Sequence, residues 1–393
     1  MRRTWMLFLL FGMVGAVLSG IAASLDARRA LLAWTSAYGF FFATVVSGLG
    51  LTMVLRLARS SWWLVLRPSF SLFAASTPLL VAFFLPIGVR PEAIFPWAAG
   101  RAGETWGPTF AEPTDPATVH GAFWNTPSVW LARSIGYLAI ILVIAFLVHR
   151  SEASLARAPS AEGRRRARIV SGAALPVLAM AMTFASFDWL MSMERGWAST
   201  AYGLYVATSG LVSAIGVVVL ATWLAQRGKS GSDALPTDHA HALGRLLLMA
   251  VILWAYIGFF QFLLIWIANL PREVTFFVAR KSPAWMPVGL LLVFGRFVAP
   301  FLLLLSRPRK QSLGSLAWIA LWLVATTAID FAWLVLPSAG ATLALVDLAP
   351  LVAIVGFAGA YATRAFDVAD SSRESLPPAA AELGGRALRY RSP

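Results

Sequence analysis

Four ionisable side chains stand where apolar ones are expected. The stretch TFASFDWLMSMERGW, residues 183–197, sets Asp188 beside Trp189 inside a hydrophobic run and then emerges as Glu194 and Arg195. Asp330 interrupts a second run at IDFAWL, and Arg133 and Arg296 interrupt two more. A charge in the middle of a membrane helix costs about 2.5–3.5 kcal/mol on insertion scales, so each is a candidate functional group. The chemistry open to them is proton handling. A carboxyl group away from water favours its neutral form and can take up and pass on a proton, while an arginine tunes it or hydrogen-bonds a polar ligand. The same charges can instead pair structurally, Arg133 with Asp188 and Arg296 with Asp330, and neutralise one another. Gln261, Ile265 and Asn269 follow at i, i+4 and i+8 on one helical face, with Trp254 and Ile257 below. That face suits either a polar pathway or interhelical hydrogen bonding.

The elements that must position these groups are membrane helices. The 393 residues are 59% hydrophobic and 13% charged, with mean hydropathy +0.73, which excludes a soluble domain of this length. The formal charge of +14 lies in short loops between apolar runs, which is a topology signal rather than a nucleic-acid face. With no cysteine the chain can hold no iron–sulfur cluster, covalently attached haem or disulfide. No two of His120, His149, His239 and His241 face each other from helix middles, so paired haem ligation is not expected. Haem and iron–sulfur centres, if the protein serves electron transfer, belong to partner subunits.

Ten segments are long enough to span a bilayer: 5–25, 34–57, 70–89, 128–149, 169–190, 198–225, 243–270, 284–306, 313–336 and 342–364. Of the 32 Lys and Arg, 22 fall on one side of this arrangement and nine on the other, with Arg296 inside a helix, which places both termini in the cytoplasm. The first segment, after Met1-Arg2-Arg3, also resembles a signal peptide; it is read as an uncleaved helix, and cleavage would leave nine. The outer loop 88–127 is rich in Pro, Gly and Trp (Trp97, Trp106, Trp124) and suits either docking of an extrinsic subunit or an interfacial flap. The basic segment 150–168 is expected as an inner loop, and 367–393 as a disordered cytoplasmic tail.

An internal repeat organises the helices. AYGFFFAT (37–44) and AYGLYVAT (201–208) match at five of eight positions, each after a Trp, Trp34 or Trp197. Pro127 and Arg133 precede Asp188-Trp189-Leu190 as Pro287 and Arg296 precede Asp330 and Trp333-Leu334. The predicted fold is therefore all-α: one transmembrane domain over 1–366, with helices 2–5 (about 34–190) and 6–9 (about 198–336) as parallel-repeat four-helix bundles. Helices 1 and 10 flank them. Asp188, Arg133 and Asp330 then lie in the outer half, Arg296 near the midplane, and Asp347 opens helix 10 on the outer side. Glu194, Arg195, Arg272 and Glu273 are expected as solvated charges at the outer surface.

The stretches SFDWLMSMERGWASTAYGLY (186–205) and LWAYIGFFQFLLIWIANLPREVTFF (253–277), followed by the Arg296 and Asp330 helices, resemble the NrfD/polysulfide-reductase-like integral membrane subunits. The resemblance is closest to the second such subunit of alternative complex III, a quinol:cytochrome c oxidoreductase. It implies a multi-pass subunit of the bacterial inner membrane, beside a sister NrfD-like subunit, an extrinsic iron–sulfur subunit and multihaem cytochromes c, with a quinone or quinol as the small molecule. It also implies that the quinol next to the iron–sulfur chain sits in the sister subunit, leaving this one to conduct protons or brace the assembly. The family's pattern after Pro271 reads as two acids; here it is Arg272-Glu273, so a role of the first acid does not carry over. The expected site is Asp188, Asp330 and Arg296 for protons or a quinone headgroup, with Gln261, Asn269, Arg133 and Trp189 along a quinone or polar pathway. The alternatives are a secondary transporter built on the parallel repeat, and a purely structural anchor.

Overall fold

The structure is a computed structural model that describes residues 4–60, 62–98, 126–157, 160–194, 197–227, 235–339 and 344–374. Among these, every regular element is helical, and ten helices are long and apolar enough to cross a membrane. They are α1 (Thr4–Leu25), α2 (Ala27–Leu57), α3 (Arg67–Val89), α4 (Pro127–Arg157), α5 (Ala161–Trp189), α6 (Tyr202–Gln226), α7 (Thr237–Ala268), α8 (Met286–Leu305), α9 (Leu313–Val335) and α10 (Ala349–Glu374). The end at which α2, α4, α6 and α8 begin is called upper here, and the opposite end lower. Most of the outer loop, including Trp106 and Trp124, lies outside the described residues, as do Arg195 and 375–393.

Short polar residues start several helices. The Asp26 carboxylate accepts from the Arg29 N–H at 3.0 Å at the head of α2, and Ser160 Oγ accepts from the Gly163 N–H at 2.9 Å at the head of α5. The second cap explains a departure from the expected inner loop at 150–168. Instead α4 runs on to Arg157 and α5 begins at Ala161, so Arg164-Arg165-Arg166 is helical. Glu162 supports this turn by pairing with Arg166 at i+4. Hydropathy falls where the charges begin, but a helix outside the hydrocarbon needs only good helix formers, which Ala, Glu and Arg are. At the other end α10 likewise continues to Glu374, past the expected boundary at 366.

The two central helices are α2 and α6. Helix α2 packs against α3, α5, α6 and α9; α6 packs against α2, α5, α7 and α9. They approach closely because Gly210 faces the backbone of α2, where a Cβ would lie 2.2 Å from the Ala43 carbonyl oxygen. Ser47 Oγ donates to the Ala207 carbonyl at 2.9 Å nearby. Helix α4 packs on α3 and α5, and α8 on α7 and α9.

Helices α1 and α10 pair at the periphery through small residues, as membrane helices do where apolar surface gives no preference for protein over lipid. A Cβ on Gly356 would meet the Gly12 backbone nitrogen at 2.2 Å, and one on Gly15 would meet that of Ala353 at 2.3 Å. Gly356→Leu is therefore expected to separate this pair and lower the thermal unfolding temperature in detergent, an effect of about 1–3 kcal/mol. Gly20→Leu on the same α1, which meets no atom within 4 Å, should leave that temperature unchanged.

Candidate functional site

Both arginine–aspartate pairs form. In the first, Arg133 on α4 grips Asp188 on α5 in a fork, Nε to Oδ2 at 2.8 Å and NH2 to Oδ1 at 2.9 Å. Arg133 and Tyr137 are one turn apart on α4, so the Tyr137 hydroxyl reaches the same carboxylate, donating to Oδ2 at 3.0 Å. The backbone of Asp188 is also engaged, because Trp130 Nε1 donates to its carbonyl at 3.1 Å. Trp189, 1% exposed, turns away from the carboxylate into a ring cluster of Tyr38, Phe42 and Phe84, with centroids 5.0–5.5 Å away. Its indole N–H donates to Ser134 Oγ at 2.9 Å.

The second pair is deeper. Arg296 on α8 and Asp330 on α9 are both 0% exposed and in direct contact. Tyr205 and Ser209, again one turn apart, both lie on α6: the Tyr205 hydroxyl donates to Asp330 Oδ1 at 2.6 Å and Ser209 Oγ to Oδ2 at 2.7 Å. Arg296 NH2 donates to Ser209 Oγ at 2.8 Å and to Thr327 Oγ1 at 3.2 Å, and the guanidinium lies 4.1 Å above the Trp254 ring. Asp330 sits five residues below the upper end of α9, about 7.5 Å along the axis, whereas Asp188 is one residue from the end of α5.

Arg296 owes its position to a distortion. Residues Leu291–Val298 are wound as a π-helix. The Ala299 N–H bonds to the Phe294 carbonyl, five residues back, and Pro300 has no N–H to offer. The Gly295 carbonyl is thereby passed over by the helix, and Trp322 Nε1 on α9 donates to it at 2.7 Å. In hydrocarbon no water could do so.

The remaining expected residues fall elsewhere. Gln261 Nε2 donates to Ser199 Oγ at 2.9 Å, holding α7 to the segment before α6. Asn269 ends α7 as an exposed residue in the left-handed conformation, φ 46°. Asparagine tolerates that conformation better than most residues, and its N–H closes the last turn on the Ile265 carbonyl. The structure thus brings Arg133 to Asp188 and Arg296 to Asp330, while Gln261, Asn269 and the Trp189 ring join neither carboxylate.

Three further polar clusters went unrecognised in the sequence. Glu194, expected in solvent, is held by Arg280 NH2 at 2.7 Å. Arg280 also caps the upper end of α9 by donating to the Trp333 and Leu334 carbonyls at 3.0 and 2.8 Å. Burial pushes the Arg280 guanidinium down from its ordinary value, and Glu194 opposes that. Arg29 forks onto Asp347, both contacts at 2.9 Å, joining the heads of α2 and α10. At the lower end Glu152 lies between Arg56 and Arg67, beside a shallow depression lined in part by Trp63, Phe70 and His149. In each cluster the partners are far apart in sequence, so only the i, i+4 pairs Arg133/Tyr137 and Tyr205/Ser209 left a sequence signal. No protein-family model matches the chain, and none of the curated proteins compared matches it.

Removing one member of a buried ion pair strands the other, which costs about 3–5 kcal/mol. Arg296→Leu is therefore expected to unfold at a markedly lower temperature in detergent than the parent, and Arg296→Leu with Asp330→Asn to recover much of the loss. Equal destabilisation of both would show that the charge on Asp330 does not set the requirement for Arg296.

Proposed function

We propose that the chain is an integral subunit of a membrane quinol:electron-acceptor oxidoreductase of the alternative complex III type, contributing a proton-conducting or quinone-proximal path. The observation that carries this is the fully buried Asp330, held by Arg296 and hydrogen-bonded by the Tyr205 hydroxyl. A charged pair in hydrocarbon is weak evidence for stability, since apolar residues of similar volume commonly do as well. Its retention is explained if the carboxylate works. Oxidation of a quinol releases two electrons and two protons. The electrons pass to metal centres on partner subunits, because this chain has no cysteine with which to ligate an iron–sulfur cluster. A proton arriving at Asp330 neutralises it and loosens its hold on Arg296, while Tyr205 and Ser209 offer hydroxyls through which the proton can be relayed. The more accessible Asp188, with Tyr137, plays the corresponding part nearer the membrane surface.

We further infer that helices α2–α5 and α6–α9 are duplicated four-helix bundles. Among these eight helices the neighbours of α2 map onto those of α6 when α2, α3, α5 correspond to α6, α7, α9. In each bundle an arginine on the third helix pairs with an aspartate on the fourth. The upper end then faces the outside of a bacterial inner membrane and both termini the cytoplasm, as the Lys and Arg distribution supports. The transporter alternative would be favoured by helices broken at matching positions in both halves. Here α8 is distorted, whereas its counterpart α4 is regular α-helix throughout.

In the assembled complex, Asp188→Asn and Asp330→Asn are each expected to slow quinol turnover by at least about tenfold, within the range contributed by a positioned acid or base. Unchanged turnover in both would reject the proton path. The assembly itself is tested by purification: the chain should come out with haem- and iron–sulfur-bearing subunits. Isolation as a lone monodisperse protein that takes up a solute in liposomes would favour the transporter.

A further inference from the structure

Polar groups continue upward from Asp330 to the surface. Tyr202 lies three residues before Tyr205 on α6, one turn higher on the same face, and is buried. Its hydroxyl makes no hydrogen bond among the described residues, and the charges that act on it are Arg280, Glu194 and Asp330. On α9, which packs against α6, Trp333 and Leu334 follow Asp330 by three and four residues, about 4.5–6 Å higher. Their carbonyls hold Arg280, whose NH2 donates both to the Leu334 carbonyl and to Glu194 Oε1. Glu194 is thereby fixed about one turn above Asp330, and its side chain keeps 13% exposure. Aromatic rings enclose these groups. Trp197 stacks on Phe276 at 4.2 Å and meets Tyr202 edge-on at 5.7 Å, and the Arg280 guanidinium lies 3.5 Å above Phe276 and 5.1 Å from the Trp333 ring. The indole N–H groups of Trp197 and Trp333 are buried there without a hydrogen-bond partner.

Capping of α9 by Arg280, with Glu194 as its counter-charge, accounts for those two residues. It does not account for the Tyr202 hydroxyl, which is costly to bury without a partner and which phenylalanine would lack. Two buried indole donors beside it are likewise costly unless a water accepts from them. We propose that Glu194 is the group through which protons leave Asp330 for the upper surface, carried between them by the hydroxyls of Tyr205 and Tyr202 and by water held at the Trp197 and Trp333 indoles. The inference rests on the proton path proposed above and adds its outlet. The carboxyl proton of Asp330 moves to the Tyr205 oxygen as the Tyr205 hydroxyl turns its own proton upward. The same exchange at Tyr202 delivers a proton to Glu194, leaving Asp330 charged again and both tyrosines as they were. Only O–H bonds break and form. Glu194 then gives its proton to water at the surface, and Arg280 favours its return to the carboxylate.

Quinol turnover of the assembled complex tests the outlet. Glu194→Gln, which keeps an oxygen for Arg280 but cannot carry the proton, and Tyr202→Phe are each expected to slow turnover by about tenfold and to raise its solvent deuterium isotope effect. Imidazole in the buffer should restore turnover to Glu194→Gln, because it accepts protons at the surface yet cannot serve as an anion for Arg280. Glu92→Gln, which alters an exposed acid at the same end of the protein, should leave turnover unchanged. Parent-like turnover in either Glu194→Gln or Tyr202→Phe while Asp330→Asn is slow would overturn the outlet and leave the path from Asp330 standing. Parent-like turnover in these variants and in Asp330→Asn and Asp188→Asn would reject the path itself. Slowing of Glu194→Gln that imidazole does not relieve would also overturn the outlet, since Glu194 would then serve only to hold Arg280. Should Glu194→Gln not assemble, Tyr202→Phe decides alone, because it removes one hydroxyl and no hydrogen bond among the described residues.

Discussion

The structure depends on one constraint: inside hydrocarbon there is no water, so every polar group must find its partner within the protein. Asp330 shows how this is met for a carboxylate. One carboxylate takes contacts from Arg296, Tyr205 and Ser209, which come from α8 and α6. Three helices are thereby tied at one point, and the geometry of the pair becomes a property of the whole bundle rather than of α9. Asp188 is held in the same manner by α4 alone, through Arg133 and Tyr137, and keeps some exposure. The difference in depth leaves Asp188 near the upper surface and Asp330 in contact with its protein neighbours alone.

The same constraint accounts for the irregular backbone. Proline at 300 removes a donor, and the π-wound turn before it shifts the hydrogen-bond pattern by one residue, so that Arg296 and the Gly295 carbonyl fall where an unbroken α-helix would not put them. The orphaned carbonyl is satisfied by Trp322, a residue that is otherwise turned toward lipid at 45% exposure. A helix distortion, a tryptophan and a buried ion pair are therefore a single arrangement. The ends of the helices follow the same logic: Arg280 spends its donors on the carbonyls that α9 and the Phe276 segment leave open.

Charge divides the two ends of the molecule. At the upper end three ion pairs join separate segments, Arg29 with Asp347, Arg133 with Asp188 and Arg280 with Glu194. At the lower end Glu152 serves two arginines, Arg56 and Arg67.

Composition and pattern alone determined that the regular elements of the described residues are helical, that ten helices are apolar enough to cross a membrane, and that Asp188, Asp330, Arg133 and Arg296 stand within apolar runs. These follow from local sequence, because a span needs about 20 apolar residues and a charge within one is visible by contrast. Helix ends were less legible. Beyond the hydrocarbon a helix is sustained by caps and i, i+4 pairs rather than hydropathy, which is why the Glu152 and Arg164 turns were expected as loop. Only the tertiary structure decided what each charge meets. Tyr205, Ser209 and Thr327 gather at Arg296 and Asp330, Arg280 buries Glu194, and Asn269 proves to be a helix terminus. Partners drawn from helices many residues apart are set by how those helices pack, and packing depends on small residues and close approaches that no single stretch of sequence displays.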